Sequence, residues 1–274
     1  MAHLAKSLDL KYQPGFKAVA FLCLALLYAP ILILVLFSFN AGDLILKWEG
    51  FGLHWYGVAF TNSAFFSAAK NTLTISLCAT VIATVAATLA AVGMTRVAKW
   101  PGLGTAIMII NMPLMVPEII TAVASLLFFS LLAGMFKFNL GIGNLILVHS
   151  VFCIPFAFMP IRARLQDMDS NLEQAAADLY ATPAQAFQRI TLPLLLPGIL
   201  SGAALAFIIS FDDFTITQLV AGPGQTTLPL FIWDKIRRPL TPEINAISTI
   251  LICVSIAFIA LSFMMAQRNR DEHH

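Results

Sequence analysis

The chain has 274 residues, of which 59% are hydrophobic and only 11% charged, and its formal net charge is +2. A composition this apolar excludes a water-soluble surface, so the chain reads as a multi-span membrane protein. The small positive balance follows from basic loops on one side of a bilayer and gives no ground for nucleic-acid binding.

Taken in chain order, apolar runs of about 20 residues, enough to cross a bilayer core of about 30 Å, fall near 16–39, 70–95, 103–134, 141–161, 194–214 and 243–266. They predict an all-α membrane protein with six transmembrane helices. The first run is too long, and too far from an Ala-x-Ala-like site, for a cleaved signal peptide. Between the first two runs, Trp48, Phe51, His54, Trp55 and Tyr56 predict an interfacial aromatic belt or a helix lying on the membrane. Contact with a partner protein is the other reading of these aromatics. Pro113 and Pro117 predict a kink or an interfacial start in the long third run. Residues 215–241, broken at Gly222-Pro223-Gly224, predict a re-entrant or surface-lying pair of segments.

Placing the N-terminus in the cytoplasm puts Lys6, Lys11, Lys17, Arg96, Lys99, Arg162, Arg164, Arg189, Arg268 and Arg270 inside. It leaves Lys47, Lys70, Lys137, Lys235, Arg237 and Arg238 outside, so the inside-positive bias favours cytoplasmic N- and C-termini. Cys23, Cys78, Cys153 and Cys253 stand singly in four runs and read as packing residues, with neither disulfides nor a metal site expected.

No catalytic residues are assigned. A phosphate-binding G-x-x-x-x-G-K-[ST] loop is absent from the sequence, as are H-E-x-x-H and G-x-S-x-G. Any ATP chemistry must therefore come from a partner. His149 next to Ser150 leaves open an intramembrane hydrolase, although hydrogen bonding inside a helix bundle accounts for a lone histidine more simply.

Ionisable groups at bilayer depth are costly and mark water-filled paths or buried partners. Here they are all acidic: Glu118 in the third run, Asp212 and Asp213 near the outer end of the fifth, and Glu243 at the outer start of the sixth. With no Lys or Arg in the cores of those runs, the four acids form a candidate path for a cationic cargo. Helix capping is the alternative, strongest for Glu243 in the first turn after Thr241-Pro242. Lys235, Arg237 and Arg238 break the inside-positive bias and are expected to meet an acidic partner, such as a binding protein.

Ser170–Pro193 is a polar interruption between apolar runs. Ser170 with Glu173, and Thr182 with Gln185 after which Pro183 sits at the first helical position, are two capping boxes that predict two short helices with a corner at Tyr180-Ala181. Leu172, Ala175, Ala176 and Leu179 share one face of the first helix.

Gln174-Ala175-Ala176, Tyr180 and Ile190-Thr191-Leu192-Pro193 together resemble the EAA-x3-G-x9-I-x-LP loop of ABC importer permeases, with every spacing kept. Gln174 stands where that pattern has glutamate, with Glu173 beside it, and Tyr180 stands where it has glycine. A tyrosine in a left-handed cap costs on the order of 1 kcal/mol, which favours a corner of different construction. Asn111–Glu118, Ser210–Phe214, Gly222–Pro229, Pro242–Ala246 and Trp55-Tyr56 are similar to the matching stretches of spermidine/putrescine permease subunits.

The resemblance implies a type I ABC importer permease, one transmembrane domain over residues 1–274 with a coupling loop at 162–193, in a bacterial inner membrane. It implies a second homologous permease subunit, two cytoplasmic ATPase subunits that bind ATP and Mg, a periplasmic polyamine-binding protein and a polyamine cargo. In that arrangement Glu173, Gln174, Ala175, Ala176, Leu179, Tyr180 and Pro193 couple to the ATPase. A permease for another cation or small solute, and a passive channel, are the other transport readings.

Overall fold

A computed structural model describes residues 14–45, 47–96, 101–136, 141–169, 171–237, 241–253 and 256. The described elements are helices: α1 (Pro14–Phe37), α2 (His54–Thr61), α3 (Ser63–Thr95), α4 (Leu103–Met115), α5 (Glu118–Phe136), α6 (Ile142–Asp167), α7 (Asn171–Asp178), α8 (Pro183–Ala186), α9 (Leu192–Asp212), α10 (Thr215–Val220), α11 (Leu228–Ile236) and α12 (Glu243–Cys253). A five-residue π turn, Phe187–Thr191, joins α8 to α9.

Five stretches are long and apolar enough to cross a bilayer: Gly15–Phe37, Ser63–Thr95, Glu118–Phe136, Ile142–Asp167 and Pro183–Asp212. The expected third span differs from its single run. Val116 adopts an extended conformation at φ −85° and ψ 132°, as the residue before a proline does, and Pro117 then opens α5 by accepting from the amides of Ile120 and Thr121. The run therefore divides into the 13-residue α4 and the 19-residue α5. Most of the sixth expected run beyond Cys253 lies outside the described residues.

The chain divides into two units, Met1–Ser63 with Asp234–His274, and Ala64–Trp233. In the first, none of the residues Gly15–Phe37 of α1 is buried, and the following loop folds on Asn40. The fully buried Asn40 amide donates to the carbonyls of Leu44 (3.1 Å) and Lys47 (2.7 Å) and accepts from the Glu49 amide (2.8 Å). Two of the loop aromatics hydrogen-bond within the unit: the Trp55 indole donates to the Gly42 carbonyl at 3.1 Å, and the Tyr56 and Ser38 hydroxyls are 2.7 Å apart.

The second unit is built on close backbone approach. Along α3 the buried positions Ala68, Thr72, Ile75, Ser76, Ala79, Ala83, Ala87 and Ala91 recur at helical spacing. In the α6–α9 pair, Gly198 and Gly202 are four residues apart on one face; a Cβ on Gly198 would lie 2.7 Å from Arg164 Cβ, and one on Gly202 2.7 Å from the Ala157 carbonyl oxygen. Small residues are what let two helices pack this closely where lipid supplies no hydrophobic drive. Cys153, alone of the cysteines in being buried, joins the seam by donating to the Ala206 carbonyl. The break at 222–224 lies between α10 and α11, where Gly224 takes φ +78°. Asn71 donates to the carbonyls of Gly224 and Thr226, and Thr72 accepts from the Leu228 amide at 2.7 Å, tying this loop to α3.

Candidate functional site

The second unit holds a cavity of about 370 Å³ lined by Glu118, Phe152, Phe156, Ile208, Ile209, Asp212, Asp213, Phe214 and Thr215. Three of the four acids singled out from the sequence thus share one wall, although they come from the start of α5, the end of α9 and the residue after it. Two helix ends explain the convergence. Pro117 places Glu118 in the first turn of α5, and Asp213 leaves the helix at φ −64° and ψ 126°, so the chain turns back into α10, which packs on α5 and α6.

The three acids are held differently. Asp213 has a buried carboxylate that caps α10: Oδ1 accepts from the Ile216 amide at 3.2 Å, and Oδ2 from the Thr217 amide and hydroxyl, each at 2.9 Å. His149 Nε2 stands 3.4 Å from the same Oδ2, and its Nδ1 lies 2.9 Å from Ser210 Oγ. Helix capping therefore describes Asp213 in part. Glu118 is half-buried beside the Asp213 carboxyl and within reach of the Thr215 hydroxyl, whereas Asp212 is exposed to the cavity. Among the described residues no Lys or Arg pairs with any of the three. A cavity with this many carboxylates attracts a cation, and its phenylalanine walls suit the methylene stem of an alkylammonium.

Ser210, His149 and Asp213 have the composition of a hydrolytic triad, but Ser210 and His149 are only 4% and 2% exposed. They form a buried brace rather than a nucleophile open to substrate. This network was hidden in the sequence, because His149 stands 61 to 68 residues from its partners.

Glu243 belongs to the other unit. It accepts from Asn62 Nδ2 at 2.5 Å and pairs with Lys235 Nζ at 2.8 Å, with 8% of its side chain exposed. Lys235, a cation in sequence reach of the interfacial acids, is engaged by this carboxylate. Arg237 is exposed, and Arg238 lies outside the described residues.

The loop expected to couple to an ATPase is a helical corner. The Thr182–Gln185 capping box is present in both directions. Ser170 lies outside the described residues; Glu173 Oε1 accepts from Thr191 Oγ1 at 2.8 Å and pairs with Arg96 Nε at 3.1 Å. The corner itself corrects the expectation drawn from Tyr180. Tyr180 has φ +60°, the Tyr180 amide donates to Ala177 and the Ala181 amide to Ala176, a Schellman end with tyrosine in the place that favours glycine. Its ring is 96% exposed, with Leu179 at 81%. Ala176 is buried, so the outward surface is formed by Leu172, Gln174, Ala175, Leu179 and Tyr180 without it. Pro193 is the second residue of α9, directly after the π turn.

Residues 83–269 match the family model described as binding-protein-dependent transport system inner membrane component. The chain is 38% identical over 266 residues to the putrescine transport system permease protein PotI of Escherichia coli (strain K12), covering 94% of this chain and 95% of that protein. It is 36% identical over 253 residues to the spermidine/putrescine transport system permease protein PotC of Haemophilus influenzae, covering 92% and 96%. The fold is similar to a chain in the crystal structure of a bacterial ABC transporter involved in the import of the acidic polysaccharide alginate, with a TM-score of 0.68, 15% identity and coverage of 92% and 98%.

Proposed function

Because the chain belongs to the binding-protein-dependent transport system inner membrane components, a family of ABC transporter permeases and not of enzymes, we propose that it forms the substrate path of an ATP-driven polyamine importer. The observation that carries the cargo assignment is the cavity in which Glu118, Asp212 and Asp213 meet with no Lys or Arg pairing to them among the described residues. A polyamine supplies the missing positive charge, and the relatives named for putrescine and spermidine transport fit that chemistry.

In this reading the whole chain is one permease domain of a bacterial inner membrane, crossing it six times with both termini in the cytoplasm. It pairs with a second homologous permease. Two ATPase subunits, which bind ATP and Mg, dock at the 162–193 loop through Leu179 and Tyr180, and a periplasmic binding protein delivers cargo near Arg237 and Arg238. Alternating access then moves the cation past the acids while water is excluded from one side at a time.

The test is reconstitution of the complex in vesicles with its binding protein, measuring ATP hydrolysis and uptake for putrescine, spermidine, other cations and neutral solutes. Stimulation by a polyamine supports the assignment. Stimulation by another solute alone transfers the function to that cargo.

A further inference from the structure

We propose that Arg96 and Glu173 form a clamp that makes the coupling loop and the spans above it move as one body. This rests on the reading that the loop docks an ATPase, and adds which residues transmit its motion.

Four chain segments of the second unit converge on this pair. Arg96 follows the last residue of α3, and its guanidinium reaches two ways: Nε pairs with Glu173 Oε1 at 3.1 Å, and a terminal nitrogen donates to the Met168 carbonyl, at the cap of α6, at 3.4 Å. Glu173 lies in the first turn of α7 and uses the same oxygen to accept from Thr191 Oγ1, in the π turn that leads into α9. The end of α3, the end of α6, the docking helix α7 and the start of α9 are thus joined by one carboxylate and one guanidinium. Thr191 is 3% exposed, and the Arg96 and Glu173 side chains are 18% and 26% exposed, so water competes weakly for these contacts, of which Arg96 Nε–Glu173 is an ion pair without hydrogen-bond alignment.

The placement gives the pair a mechanical role that the exposed tip of the loop lacks. α9 runs without a break from Thr191 to Asp212, on the cavity wall. A displacement of α7 that reaches Glu173 must drag Thr191 or break a charge-assisted bond. Without the clamp, α7 keeps its buried Ala176 and its packing on α8 and the π turn but loses its charged tie to the end of α3, and the loop can yield under load while still bound. Arg96 and Glu173 are therefore positioning residues for coupling and touch no cargo.

The experiment uses the full complex in vesicles with its binding protein and polyamine, comparing Arg96→Ala, Glu173→Gln and the exchange Arg96→Glu with Glu173→Arg. Polyamine taken up per ATP hydrolysed should fall about tenfold in each single variant, with the ATPase subunits still co-purifying. The exchange should restore part of the loss: the ion pair is kept and the Thr191 hydroxyl can accept from an arginine as it donates to a carboxylate, while the bond to the Met168 carbonyl is given up. Unchanged uptake per ATP in both single variants overturns the clamp, and so does an exchange no better than either. Loss of ATPase subunits in every variant, with no rescue by the exchange, also overturns it by reducing the pair to a fold contact. Whether the loop docks at all is read separately, from a cross-link between Leu179→Cys and the ATPase in the otherwise native chain.

Discussion

The two ends of α9 use charge in opposite ways. At its start, Arg96 and Glu173 neutralise each other, and the surface left over is apolar, Leu179 and Tyr180 standing out from a polar loop. At its end, no described Lys or Arg pairs with Glu118 or Asp212 on the cavity, and Asp213 is held by backbone amides and His149. A closed set of charges at one end suits a joint that must hold through every cycle. An open set at the other suits a site that must gain and lose a cation.

The largest expected effect comes from the rod between them. Gly202→Val would drive side-chain atoms into the Ala157 carbonyl, 2.7 Å from the first added carbon, at a cost of about 3 kcal/mol or more. Folded complex should be nearly lost by size-exclusion chromatography in detergent, and a normal yield would show that α6 and α9 separate more easily than their packing implies. Next, Leu179→Asp should abolish co-purification of the ATPase, because an unpaired carboxylate in an apolar contact costs several kcal/mol. Retained ATPase would move the docking surface elsewhere on the loop.

At the other end, Glu118→Gln and Asp212→Asn should each lower polyamine uptake at least about tenfold with assembly unchanged. A carboxylate about 4 Å from an ammonium contributes about 4 kcal/mol at an effective dielectric near 20, before desolvation. Asp213→Asn should differ by also lowering yield, since an amide nitrogen turned toward the Ile216 or Thr217 amide leaves buried donors facing each other, at about 1–3 kcal/mol. Equal behaviour of all three variants would erase the distinction between cap and path. The smallest effect is Tyr180→Gly: releasing a tyrosine from φ +60° recovers about 1 kcal/mol, so thermal stability should rise slightly. Loss of coupled hydrolysis in this variant would show that the exposed ring touches the ATPase.

Local chemistry was legible in the sequence, and convergence was not. Thr182-Pro183 with Gln185 announced its capping box, because a cap is decided within four residues. Pro117 announced a disturbance, though a break and a kink look alike until the backbone of Val116 is seen. Ala176 was grouped with Leu179 by helical spacing, yet one is buried and the other exposed. In a helix of eight residues the apolar and the buried faces need not coincide. The His149 brace and the Arg96–Glu173 pair were out of reach for the same reason: each joins groups more than 60 residues apart, and no periodicity encodes which helix meets which.

The π turn at Phe187–Thr191 carries a further consequence for how this chain tolerates change. There the Leu192 amide donates to the Phe187 carbonyl, five residues back, so the helix holds one residue more than a regular α-helix would. Each residue of an α-helix advances the screw by about 100°. Deleting Gln188 or Arg189 would remove that surplus and let the segment close into an ordinary α-helix with the side chains of α9 kept in register. A one-residue deletion or insertion between Leu192 and Gly198, where no wide turn absorbs it, would instead turn every side chain beyond it by about that angle and take Gly198 and Gly202 off α6. The π turn is thus a place where a change of length by one residue should be tolerated far better than in the helix that follows it.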